Sequence, residues 1–564
     1  MKDIRAGIVS LSAVVLVLAL TTTTRALPRE TVLHAFSTLP HGAEPGSPLI
    51  ADGAGNLYGT ATQGGAYGVV FELTPGQNGT WKQTVLHDFK GSTYSGPDGA
   101  YPVSNLLLDS AGNLDGATYK GGTFGLGCVF RLAKSGSVWN ETVLYSFRGA
   151  NNDASGVLGG LIGLAMDSAG NIFGATSAGG NGPCSDYEGN GIGCGVVFKL
   201  SPGANGAWTE SLLYSFQYST DGGIPYSTLV LDSAGDVYGT TEFGGDLQCP
   251  TLLGAVGCGT VFKLTPSLDG TWTESVLYAF TGFSGDQSPY PYGSLLLDAN
   301  GNLFGTAGGE YAYGAVFELS PTSSGGWTES TLYIFNGGAD GAYLFEGLAL
   351  NASGNIYGTT LSGGSGPCSP YQSVGCGTVF DLSKSQSGWS KSILYNFLDG
   401  ADGEYPSAGV TLDAAGNIYT TASTGGATNC QLPNGPPNGC GAVLKLSPGS
   451  NGSLTSRVLY DFPLYDDGAR PAAGLVADSA GNVYGTTASG GTHNAGTVFE
   501  VSLLPSGQWQ SHVIYNFGDA TLDGSTPVAS LIFDAAGNLF GTTQQGGTKK
   551  GGTVFELSPS ANGS

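Results

Sequence analysis

A chain of 564 residues is too long for one ordinary hydrophobic core, so several domains or an array of repeats is expected. Apolar residues reach 40% and charged residues only 11%, which excludes simple disorder; Ser, Thr, Asn and Gly fill the polar positions, as in short strands joined by tight turns. The net charge of −24 repels polyanions and so excludes nucleic acid and an anionic membrane surface as partners, leaving solubility outside the cell as its plain meaning.

The N-terminus reads as an export signal. Lys2 and Arg5 precede an apolar run from Ile8 to Leu20, and Thr24-Arg25-Ala26 offers a small-x-small cleavage site. The run is short for a membrane span, and no Cys follows that could carry a lipid. Residues 1–26 are therefore expected to be a signal peptide, with a secreted or cell-surface product lacking stable membrane insertion. An uncleaved anchor is the alternative. Residues 27–564 form one repeat domain in this reading.

A D-x-x-G-N element begins at Asp52, Asp109, Asp167, Asp232, Asp298, Asn351, Asp413, Asp478 and Asp534. Each copy holds four segments with strand character: an apolar one such as "LVLD" (229–232), then "NLYGTT", "GTVFEL" and "WTESVLYAF" (272–280), or variants of these. Four strands per unit are the mark of a propeller blade, so the fold class expected is all-β, a β-propeller of about nine four-stranded blades.

The Asp of each D-x-x-G-N can accept N–H bonds at a type I turn whose Gly takes the left-handed conformation. Calcium ligation is the competing use, but Asn351 replaces Asp in one copy. Trp81, Trp139, Trp208, Trp272, Trp327, Trp389 and Trp509 each open a fourth segment, with Leu454 in the copy lacking one. The Phe of "VF", with Leu444 as its substitute in one copy, recurs similarly. One aromatic per blade at a fixed position reads as packing, with sugar stacking as the alternative.

The run G-N-[LIV]-[YF]-G-T-T-x-x-G-G followed by G-T-V-F-x-L resembles the exported bacterial tandem-repeat family called GloVer, whose members are choice-of-anchor proteins. The resemblance covers about residues 30 to 560. It implies an extracellular repeat domain and no established reaction. No C-terminal sorting signal is visible after "VFELSPSANGS", so free secretion is expected over anchorage.

Eight of the nine Cys residues form close pairs: Cys184 with Cys194, Cys249 with Cys258, Cys368 with Cys376, and Cys430 with Cys440. All lie between the second and third strands of copies with enlarged loops. Their spacing and the lack of companion His residues match disulfides in an exported protein, not zinc. Cys128, directly before Val129-Phe130, is expected to be a buried, inert thiol.

If the apolar first strand lines the axis, these loops share a face with the fourth-to-first connections. Those carry D-G-x-x-P at Asp98, Asp221, Asp402, Asp467 and Asp523, and Asp340 in a copy lacking the Pro. These six carboxylates are candidate ligand-binding residues around the axial opening; shaping turns is the other reading.

No catalytic, metal or cofactor motif appears. His34 and His87 occupy the slot that Tyr fills in "LYxF", while His41, His493 and His512 share no common offset. The function expected is a secreted binding or scaffold module with a glycan, polymer or protein ligand on the loop face. The alternatives are an extracellular propeller enzyme, a polysaccharide lyase or hydrolase, or a self-assembling structural protein.

The chain opens mid-unit: "ETVLHAF" (30–36) aligns with the fourth segment "ESVLYAF" (274–280), and "GTVFELSPSANGS" (552–564) stops before one. The N-terminal strand is therefore expected to complete the ninth blade and close the ring of a monomer. Head-to-tail assembly between molecules would satisfy the same complementarity.

Overall fold

Each repeat folds into one antiparallel sheet with its strands paired in chain order, and nine such sheets stand in a ring: the protein is an all-β, nine-bladed β-propeller. A computed structural model of the chain describes residues 29–558 apart from short stretches, the longest being 36–48. The signal-peptide expectation, residues 1–26, lies outside the described residues. In the fourth blade the strands are Val230–Leu231, Val237–Phe243, Thr260–Pro266 and Trp272–Ala279, paired in that order.

The turn before each second strand is built as its residues dictate. Asp52 Oδ1 accepts the N–H groups of Ala54 and Asn56, both at 2.9 Å, while Oδ2 takes the Asn56 amide and the Tyr58 hydroxyl. Gly55 closes the turn at φ 82°. Asn351 makes the same two backbone bonds, so this asparagine serves the turn as the aspartates do. Burial pushes the Asp52 carboxyl up, but these donors outweigh it and hold the group below its ordinary value.

The first strands sit innermost, and there the backbones nearly touch. A Cβ at Gly347 would lie 2.7 Å from the Cα of Gly409, which holds the same place in the next blade. Thr411 donates its hydroxyl to the carbonyl of Leu475, again between neighbouring first strands. Small residues at this position are what the crowding demands.

The hydrophobic cores lie between blades. One cluster joins Tyr238 and Val261 of the fourth blade to Leu303, Phe317 and Leu319 of the fifth. The Phe of "VF" meets, edge to face, the Phe ending the fourth strand of the preceding blade: Phe216 with Phe262 at 5.1 Å, Phe462 with Phe499 at 5.2 Å. The Trp residues also pack across the seam, Trp139 on Tyr58, Trp272 on Phe173 and Trp327 on Tyr238.

The ring closes as the alignment of the two ends implied. Arg29–Ala35 pairs antiparallel with Thr553–Ser558, Glu30 opposite Leu557 and Val32 opposite Phe555. The bulge between Val32 and His34 matches the one between Val143 and Tyr145 in the second blade, so the N-terminal strand reproduces a fourth strand in detail. Leu57, Phe71 and Leu73 of the first blade pack with Phe540 and Val554 of the ninth.

Candidate functional site

The enlarged loops and the D-G-x-x-P segments share one face. Gly122 donates its N–H to the carbonyl of Asp98, Gly245 to Ser219 and Gly364 to Gly338, tying each second-to-third loop to the segment beside it. Four disulfides staple these loops: Cys184–Cys194, Cys249–Cys258, Cys368–Cys376 and Cys430–Cys440. Cys128 is a buried free thiol 3.3 Å from the Thr118 hydroxyl, and burial pushes it up to about 12, far from a reactive thiolate.

The six aspartates turn inward. Asp221 accepts from the Tyr214 hydroxyl at 3.0 Å and from the N–H groups of Gln217 and Ser219; Asp402 accepts from Tyr395 and Leu398 at 2.9 Å. Asp340 binds Tyr333, the N–H of Asn336 and Nζ of Lys391. Asp98 does the same with His87, Lys90 and Gly99, and Asp523 with Gly518 and Gly524. Asp467 pairs with Tyr460. Each carboxylate latches the end of a fourth strand to the segment entering the next blade, and Asp221, Asp402 and Asp523 are left 8%, 6% and 5% exposed.

What these connections present is one residue at a repeated position, followed by Pro in every copy but that of Tyr343. Tyr101, Ile224, Tyr290, Tyr343, Tyr405, Arg470 and Thr526 all have positive φ, between 56° and 78°, at one repeated position. Six of these strained conformers have a backbone hydrogen bond to hold them: the N–H groups of Ile224, Tyr290, Tyr405 and Arg470 donate to the carbonyls of Cys194, Cys258, Cys376 and Cys440 in the preceding blade. Tyr101 donates likewise to Tyr67, and Thr526 to Ala495. The second Cys of each stapled loop is thus the anchor of the next blade's left-handed residue.

Four of these residues are tyrosines, and three have an aromatic neighbour. Tyr101 meets Tyr67 at 5.8 Å, Tyr290 meets Phe243 at 5.4 Å, and Tyr343 meets Tyr313 at 6.3 Å. Tyr343 and Tyr313 are 40% and 39% exposed, and Phe124 and Leu247, on the second-to-third-strand loops of the second and fourth blades, are more so. Sequence reasoning fixed on the Asp of D-G-x-x-P and passed over the recurrent Tyr in "DGAYP", "DGAYL" and "DGEYP", which was the available signal.

A second feature lies at the outer strands, where each fourth strand approaches the latch of the blade before it. Glu141 reaches the Asp98 latch and Glu274 the Asp221 latch; burial, reinforced by those aspartates, pushes both glutamates up to about 7, with His87 opposing at Glu141. In the sixth blade this register position holds Lys391, which pairs with Asp340 at 2.7 Å. The sequence also gave no warning of Arg131, which forks onto Asp115 at 2.7 and 2.6 Å and stacks over Trp208 of the next blade.

Fold and face together define an acidic, disulfide-stapled β-propeller built from tandem repeats. The chain belongs to the Gloeobacter/Verrucomicrobia repeat family, whose model matches residues 16–253, 184–371 and 366–564. No curated protein matches the sequence. Among solved structures it is similar to a protein from Lactobacillus plantarum, at 14% identity over 72% of this chain and 95% of that one, TM-score 0.36. It is also similar to a puromycin-hydrolyzing peptidase of Mycobacterium tuberculosis, at 11% identity over 85% and 61% of the two chains, TM-score 0.38. An ancestral GH74 enzyme matches at 10% identity over 90% and 64%, TM-score 0.34. Superpositions this loose transfer no activity. Among the described residues no helix is long and apolar enough to cross a membrane.

Proposed function

We propose that the protein is a secreted binding module whose stapled-loop face holds a neutral glycan. The observation behind this reading is the set of tyrosines at one repeated position, Tyr101, Tyr290, Tyr343 and Tyr405, each fixed by its backbone and partly open to solvent. A Tyr ring offers a flat apolar surface with a polar edge at little entropic cost, which suits the faces and hydroxyls of a sugar ring. Asp98, Asp221, Asp340, Asp402, Asp467 and Asp523 serve the ligand by placing the residues that follow them. The net charge of −24 disfavours a polyanion and points to an uncharged polymer. Four disulfides suit an oxidising, extracellular setting.

The test is a pull-down with insoluble neutral polysaccharides, together with a glycan array. Changing the four tyrosines to Thr, the residue the ninth blade carries at position 526, should leave folding intact and abolish retention. Wild-type retention should survive high salt. Equal retention of the variant, or no neutral glycan retained at all, overturns the reading. New reducing ends or unsaturated products would mark a propeller enzyme instead.

A further inference from the structure

We propose that His87, Asp98 and Glu141 form a binding site for a divalent transition ion of the zinc type, clipping the first blade to the second. His87 comes from the fourth strand of the first blade, Asp98 from the connection that follows, and Glu141 from the fourth strand of the second blade. Their donor atoms all lie within 4.8 Å of one another. His87 Nε2 is 3.0 Å from Asp98 Oδ1, close to the separation of two ligands sharing one small ion. Imidazole nitrogen and carboxylate oxygen are ordinary zinc donors, and the edge of Phe89 against the His87 ring fixes the imidazole's aim.

Two further observations point to a cation here. Glu141 Oε1 is shielded from solvent and has no hydrogen-bond partner among the described residues, a state shared by the Oε1 atoms of Glu210 and Glu274 at the same register position; here the carboxylate lies beside an imidazole as well as a second carboxylate. At the equivalent seam between the fifth and sixth blades, the register position of Glu141 is held by Lys391, whose ammonium pairs with Asp340, the counterpart of Asp98. That seam places a positive charge between strand and latch with its own side chain. The seam of His87 has two carboxylates and a nitrogen ligand in its place. The blades supply a further contrast, since Tyr214 stands where His87 does and leaves Asp221 and Glu274 without a nitrogen donor.

The repeat furnishes variants that should fold. His87→Tyr installs the residue found in the fourth strands of seven other blades, and Glu141→Gln the residue the first blade carries as Gln83. The mature protein, stripped with EDTA, is incubated with Zn²⁺ and desalted, and the retained metal is measured alongside a calorimetric titration and a melting curve. The expected result is one equivalent retained, a melting temperature raised by zinc, and affinity lower by more than about 10-fold in both variants. Glu274→Gln should change none of these. Absence of retained zinc in the wild type, or retention unaltered by His87→Tyr, overturns the site. Neither result bears on glycan retention, which involves the other residues.

Discussion

Thr420 stands opposite Leu444 in the seventh blade, in the register where all eight other blades set a Gly against a Phe. The pairing explains the Gly of "YGTT". A Cβ at Gly239 would lie 2.6 Å from Cζ of Phe262 and 3.0 Å from Leu229, so the ring occupies the space a side chain needs. Where the ring is traded for the smaller Leu, Thr fits. Gly239→Ala should therefore destabilise by about 2 kcal/mol through overpacking. Combined with Phe262→Leu, the loss should be smaller than the sum of the two single changes, with a coupling of about 1 kcal/mol. Urea titration of the four proteins checks it, and strict additivity would mean that the two positions do not exchange volume.

Non-reducing peptide mapping should recover the four bridges and one free thiol at Cys128. Each stapled loop is short, and its bridge should contribute about 2–3 kcal/mol. Cys128 occupies the slot of Thr260 and Thr497, which share hydroxyl bonds of 2.9 Å with Thr241 and Thr487. Cys128→Thr should restore that pair and leave stability within about 1 kcal/mol of wild type. Rapid alkylation of Cys128 in the native protein would contradict its burial.

Glu274 gives a pH dependence with a definite sign. Burial and Asp221 raise it from 4.5 to about 7 in the folded protein. Between those values the folded state holds more protons than the unfolded one, so stability is highest below the window and falls as pH rises through it. Glu274→Gln should flatten that decline by about 1–2 kcal/mol, allowing for solvent screening of a half-buried group. Denaturation midpoints at pH 5 and pH 8 measure it; an unchanged slope would place the titration elsewhere.

Deleting residues 27–40 removes the strand that pairs with Thr553–Ser558. The ninth blade then presents an open edge, and the protein should melt lower and self-associate. Calorimetry and light scattering read both. A monomer with unchanged melting would show that pairing of these two strands contributes nothing in solution.

Architecture was legible because it is written nine times over: strand order, the Asp turn, the Trp and Phe positions and the Cys pairs all follow from local pattern. The place of the core was less so. Phe262 reads from sequence as belonging to its own blade, yet it meets Phe216 of the blade before, because which sheets face each other is a property of the ring. The Asp of D-G-x-x-P stood out by its charge, whereas its role as a latch needs Tyr214 and Gln217 brought back onto it. The cluster of His87, Asp98 and Glu141 joins two repeats that each look ordinary alone.

The strand Arg29–Ala35 has a temporal consequence. It is made well before its partner Thr553–Ser558, so while the intervening blades are synthesised this strand has no edge to join. Successive blades can assemble on their neighbours as they emerge. The final pairing must wait, and it carries the largest loop-closure entropy in the molecule. Any factor that holds Arg29–Ala35 in the meantime therefore also decides when the ring closes.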